Sequence, residues 1–123
     1  MIMKLAIAGH SISRISFDYA FSLSTADGAE LRIETAFEFI VGDERPALVE
    51  PSCAVEQSRA LVRLLHREIE ASHITETGEL LLRIEGGTTI RVSPHDEFEA
   101  WTFAGANGEK AVCMPGGVLA TWV

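Results

Sequence analysis

The stretch Glu30-Leu31-Arg32-Ile33-Glu34-Thr35-Ala36-Phe37-Glu38-Phe39-Ile40-Val41 decides the fold class. Leu31, Ile33, Phe37, Phe39 and Val41 are apolar, and Glu30, Arg32, Glu34 and Glu38 lie between them. Successive side chains of a strand point to opposite faces. Period two with one charged side therefore means a strand with one face on a core. Leu31, Ile33, Phe37 and Phe39 are expected to be buried, and Arg32, Glu34 and Glu38 largely exposed.

Upstream, residues 14–24 alternate in the same way, with Ile15, Phe17, Tyr19, Phe21 and Leu23 on one side. Ala26-Asp27-Gly28 separates the two segments. Asp-Gly tolerates the positive φ of a tight turn, so the segments should pair antiparallel. Residues 1–9, with an apolar patch from Leu5 to Ala8, read as a first strand. Downstream, residues 42–51 are polar, contain Pro46 and Pro51, and read as a loop. A helix is predicted over 53–66, with Ser52 as N-cap. Ala54, Val55, Leu61, Val62 and Leu65 would form its buried stripe, with Glu56, Arg59 and Arg63 toward water.

The second half returns to strands. Leu80, Leu82 and Ile84 lead to a turn at Gly86-Gly87, then Ile90 and Val92. Strands are predicted at 98–104 and 111–114, joined by a hairpin at Asn107-Gly108. Pro115-Gly116-Gly117 turns the chain into a last strand, 118–123. An offset of 59 lays Asp27-Gly28 on Gly86-Gly87, Leu31 to Ile33 on Ile90 to Val92, and Glu38-Phe39 on Glu97-Phe98. This is either an internal duplication of a β-meander or the chance likeness of two amphipathic hairpins. By the repeat, residues 68–75 form a strand rather than a continuation of the helix, with Ile69, Ala71 and His73 on one face. The expected fold is one α+β domain spanning 1–123. It is predominantly antiparallel β, with two meander-like halves joined by one helix, in a roll or half-open barrel.

Phe98-Glu99-Ala100-Trp101 and the ending Pro115-Gly116-Gly117-x-Leu119-Ala120-x-Trp122 complete a pattern running over nearly the whole chain. With the Asp-Gly hairpin and the Gly-Gly turn, it resembles a family of small bacterial single-domain proteins of unknown function. The resemblance supports the fold and brings no catalytic residue, cofactor or activity.

Composition narrows the function classes. Among 123 residues, 18 acids face 10 bases, for a net charge of −8. Nucleic-acid and anionic-membrane binding need clustered Lys and Arg, so both are disfavoured. Residues 52–71 balance Glu56, Glu68 and Glu70 with Arg59, Arg63 and Arg67, so the strand-rich remainder carries the excess acid. No apolar run is long enough for a membrane span, and the N-terminal patch is too short for a signal-peptide core. Two cysteines, Cys53 and Cys113, are few for a disulfide-built secreted domain. A cytoplasmic location is expected.

The chemistry-bearing motifs are sparse. No phosphate loop, nucleophile elbow or zinc-spaced cysteine pair occurs, and neither cofactor nor metal is expected. His66, Glu70 and His73 would share a face only on a helix. His95 and Asp96 follow Pro94 at a turn, and the carboxylates of Glu97 and Glu99 would leave one strand on one face. Together these four could do acid–base work if burial split their pKa values. Trp101 would share the face of Glu97 and Glu99, as part of a binding surface or as a core residue under a loop. Arg59 and Arg63, one helical turn apart, could clamp a carboxylate or phosphate or pair with nearby acids.

Three functions follow. The first is a non-catalytic binding or regulatory module, inhibitor- or immunity-like, meeting a partner through Glu97, Glu99, Trp101, Arg59 and Arg63. The partner could be a basic protein. The second is an enzyme with an acid–base site at His95, Asp96, Glu97 and Glu99. The third is a structural homo-oligomer. A twofold dimer is expected, the alternative being a roll that closes, buries both faces of the last strand within one chain and leaves a monomer. Val118, Ala120 and Trp122 share one face of a terminal strand that carries no charge on either side, and such a strand needs covering on both.

Overall fold

Residues 30–41 form two strands, not one. The computed structural model describes residues 4–122. In it, β3 (Glu30–Ile33) and β4 (Phe37–Val41) belong to different sheets. The break at Glu34-Thr35-Ala36 shifts the chain by an odd number of residues and returns it in phase. Leu31, Ile33, Phe37 and Phe39 are therefore all buried, as alternation requires. Glu34 is exposed as expected, while Arg32 and Glu38 are half-buried and ion-paired. The Arg32 guanidinium lies 3.1 Å from Glu34 and 3.6 Å from Asp18, and Arg91 lies 3.3 Å from Glu38. Residues 14–24 break likewise, into β1 (Ile12–Phe17) and β2 (Phe21–Thr25). The turn has no glycine. The Asp18 carboxylate accepts the Ala20 amide at 2.7 Å, which holds the reversal and leaves Tyr19 in solvent.

The remaining strands are β5 (Ala47–Val49), β6 (Ile69–Ile74), β7 (Leu80–Ile84), β8 (Thr88–Val92), β9 (Trp101–Ala104), β10 (Lys110–Cys113) and β11 (Leu119–Trp122). One sheet has the order β1-β2-β3-β9-β10-β11 and the other β5-β4-β8-β7-β6, with all pairs antiparallel. Neither closes into a barrel. Both contribute to one apolar core, and Phe21 of the first sheet stacks on Phe37 of the second at 5.3 Å. The class is α+β, mostly antiparallel.

The internal repeat is structural, and its two halves exchange strands. Strands β1, β2 and β3 form a meander in the first sheet, and β6, β7 and β8 form the same meander in the second. Each then sends its next two strands into the other sheet. Leu31 of β3 faces Phe103 of β9, while its counterpart Ile90 of β8 faces Phe39 of β4. Even the irregularities match, with a bulge after Ile12 in β1 and after Ile69 in β6. The halves meet at an isolated antiparallel bridge, Ser11 to Glu68, flanked by paired bonds. Gly9 N donates to Ile69 O, and His66 N to Ile12 O, both at 2.7 Å. Gly9 and His66 both adopt positive φ, and His66 is the only non-glycine among the described residues to do so. Equivalent residues pairing antiparallel place a local twofold at this bridge.

The offset of 59 holds for β2/β7 and β3/β8 but not beyond. In the pairing above, Phe39 matches Phe103, an offset of 64. The β8–β9 connection is five residues longer than the β3–β4 connection, so Glu38-Phe39 does not correspond to Glu97-Phe98. Pro51 and Pro115 also stand 64 apart, and each opens a 3-10 turn. Beyond them the halves diverge. Pro51 leads into a helical segment and Pro115 into β11, which has no counterpart in the second sheet.

The helical segment runs from Pro51 to Leu64, two residues earlier than predicted. It is 3-10 over Pro51–Gln57, α over Ser58–Leu61 and 3-10 over Val62–Leu64. Three residues per turn over most of its length turns Pro51, Ala54, Leu61 and Leu64 inward. Val55 and Val62, assigned to the buried stripe, are exposed. Ser52 is not the N-cap. Glu50 is, without a side-chain bond, because Pro51 at the first position already lacks the N–H that would need one. β6 is a strand, as the repeat suggested, but its bulge at Glu70 changes the face. Ile69, Ser72 and Ile74 point inward, in place of Ala71 and His73. Residues 6–9 form a turn rather than a first strand. Leu5 and Ile7 are still buried, and the Ser72 hydroxyl bonds both Leu5 N and Leu5 O. Met1 to Met3 and Val123, placed in end strands by sequence, lie outside the described residues.

Candidate functional site

The helical segment leaves a groove between itself and the edge of the second sheet. The inward turn of Leu61 and Leu64 sends Arg59 and Arg63 outward on either side of Ala60. The floor is Phe39, Ala47, Val49 and Leu61, and the rim is Gln57, Arg59, Ala60 and Arg63. Its volume is about 300 Å³, and a smaller extension of about 90 Å³ runs on past Ala60 toward Arg67 and Thr88. No carboxylate lines either part. Arg59 and Arg63 make no ion pair with any described residue, unlike Arg32 and Arg91. Arg67 reaches the Glu85 carbonyl at 3.5 Å. An apolar trough thus lies under guanidinium groups that make no ion pair among the described residues, which suits a ligand with an anionic group and an apolar body.

The expected acidic strand face is a loop. Residues 93–100 are the longer of the two equivalent connections, and the strand begins only at Trp101. Glu97 and Glu99 are exposed and share with Glu34 a shallow depression that also holds Phe98, Met114 and Pro115. His95 Nδ1 accepts the Glu97 amide at 3.0 Å, and its ring lies 4.9 Å from Phe98, which is 61% exposed. Asp96 is exposed. Trp101 parts company with the glutamates. The chain bends at buried Ala100 and drives the indole inside, where Nε1 donates to Gly78 O at 3.3 Å. It offers no surface to a partner and belongs to the core, not to a partner-binding set with Glu97 and Glu99. Cys113 Sγ shares that carbonyl at 3.5 Å, and burial pushes its thiol pKa up.

At the C-terminus, Val118 precedes β11 rather than opening it. Val118 and Trp122 are exposed, Ala120 is half-buried, and Leu119 packs on the core. Among the described residues no three His, Cys, Asp or Glu side chains gather closely enough to hold a metal ion, His66, Glu70 and His73 included. No helix among them is long and apolar enough to cross a membrane.

One family model matches this chain, and it covers residues 3–123. The chain belongs to DUF6188, a family of unknown function. No curated protein and no solved structure matches it. In this DUF6188 chain the groove was only half legible beforehand. Arg59 and Arg63 stood out by spacing, but Phe39, Ala47 and Val49 come from strands whose sheet partner the sequence does not name. One further signal was available. Residues 57–67 contain Arg59, Arg63 and Arg67 and no acid, in a chain with 18 of them.

Proposed function

We propose that this chain is a binding or regulatory module, inhibitor- or immunity-like, that acts by occupying a partner rather than by chemistry. Its site is the groove between the helical segment and β4–β5. The observation that carries this reading is that Arg59 and Arg63 make no ion pair among the described residues and stand above an apolar floor free of carboxylates. Free thiols at exposed Cys53 and buried Cys113 suit a cytoplasmic setting. Amide chemical-shift mapping of the full chain tests the site, with decanoate, an acidic hexapeptide and a basic hexapeptide as probes. Anionic probes should move residues 47–49 and 57–63. The reading fails if neither anionic probe moves them at millimolar concentration.

A second reading rests on Glu34, Glu97 and Glu99 around Phe98, a depression fitted to a basic protein partner. In the same titration it requires the basic peptide to move residues 95–99, an effect lost in Glu97→Gln/Glu99→Gln.

We further propose twofold self-association along β11. It is the outer strand of the first sheet, carries no charge, and leaves Val118 and Trp122 66% and 53% exposed.

A further inference from the structure

We propose that the groove takes an extended acidic segment of a partner protein, added as a sixth strand on the edge of β5. This rests on the reading of the groove as the binding site. The pattern for the occupant is in the molecule itself. On the first sheet, β10 is covered by β11, with Val112 facing Ala120 and Cys113 facing Leu119. On the second sheet, β5 is the counterpart of β10, with Leu48 standing where Val112 stands, yet β5 ends the sheet. Beside β10 lies a small hollow lined by Phe103, Ala111 and Lys110, crossed by Thr121 and Trp122 of β11. Beside β5 the matching positions are Phe39 and Ala47, and in the place of β11 the mouth of the groove is bordered by the helical segment and the Gln57 side chain. Leu48 turns its carbonyl outward, where the Gln57 side chain reaches it at 3.4 Å. That is a long bond, which an incoming strand amide would replace.

Charge selects the occupant. Every second side chain of an added strand points to the same face, so those turned to the groove can mix an apolar group settling on Phe39 and Val49 with acidic ones meeting Arg59 and Arg63. Arg45, two residues before β5, is likewise without an ion pair to a described residue. Pro46 has no N–H and limits the pairing to residues 47–49 and the chain beyond.

The test uses the full chain and the hexapeptide Glu-Thr-Val-Thr-Glu-Thr, whose glutamates and valine share one face, beside the same peptide N-methylated on alternate amides and beside decanoate. The plain peptide should bind and slow exchange of the Leu48 amide. N-methylation should abolish binding. Arg59→Ala and Arg63→Ala should each weaken it about tenfold. Leu48→Pro, which removes an outward amide and no charge, should weaken the peptide and spare decanoate. If the methylated peptide and decanoate bind as tightly as the plain peptide, with Leu48 exchange unchanged, strand addition is wrong and the anion-binding groove stands. If no acidic probe binds, or the arginine variants change nothing while circular dichroism shows them folded, both readings fall.

Discussion

Gly78 and Gly117 show how single residues fix this fold. Both have positive φ, and their backbones touch, so a Cβ on Gly117 would overlap the Thr77 carbonyl oxygen. The contact seats the Gly78 carbonyl over Trp101 and Cys113. Gly117→Ala should therefore destabilise by well over ~1 kcal/mol in urea denaturation. Trp101→Phe, which loses the pyrrole half of the indole with its N–H and leaves a gap in the core, should cost about 2–4 kcal/mol. Equal stability of either variant with the parent would remove this junction from the account. Asp27 gives a pH signature. A hydrogen bond from the Thr25 hydroxyl, then the nearby charge of His10, holds its carboxyl below the usual range. A depressed folded pKa contributes stability above the unfolded pKa, and that contribution is lost as pH falls through the folded value. The stability gap between parent and Asp27→Asn should thus be widest at neutral pH and close in strong acid, followed by denaturation at stepped pH. None of this was legible beforehand except the Asp-Gly turn, because Gly78, Trp101 and Gly117 meet only through tertiary approach.

At the scale of elements, alternation identified most of the buried residues, though Tyr19 and Val41 on its apolar side are exposed, and it missed where strands end. Both long alternating stretches break at linkers of three residues, Asp18-Tyr19-Ala20 and Glu34-Thr35-Ala36. An odd linker preserves the parity of the pattern, so the hydrophobic signal runs through the break unchanged. The Asp27-Gly28, Gly86-Gly87 and Asn107-Gly108 turns were legible because their glycines supply positive φ. The helical segment was found but mis-phased, since a 3.6-residue period was applied to a chain that mostly winds at three. This has a measurable consequence. Leu64→Ala should cost about 2–5 kcal/mol, while Val62→Ala should stay within about 0.5 kcal/mol. An α-helical phase would reverse that order. The candidate groove inherits the same uncertainty of phase in the sequence, which is why Arg59 and Arg63 could be picked out while the floor beneath them could not.

At the scale of the whole molecule, two halves of one design interlock, and the proposed sites lie where they differ. The longer β8–β9 connection creates the Glu97–Glu99 depression, the helical segment after Pro51 creates the arginine groove, and β11 completes one sheet and leaves the other open. Self-association along β11 is checked by light scattering over a tenfold dilution starting well above micromolar. The expected mass is two chains, reverting to one in Trp122→Glu with the circular dichroism spectrum unchanged. A mass of one chain throughout would rule it out. The most direct test of the account is the strand exchange itself, because the groove, the open edge and the pattern for its occupant all depend on it. Backbone nuclear Overhauser contacts in solution read it without mutation. The account predicts cross-strand contacts between Leu31 and Phe103 and between Ile90 and Phe39. Contacts joining β3 to β4 and β8 to β9 as neighbouring strands, with those two pairs absent, would contradict it.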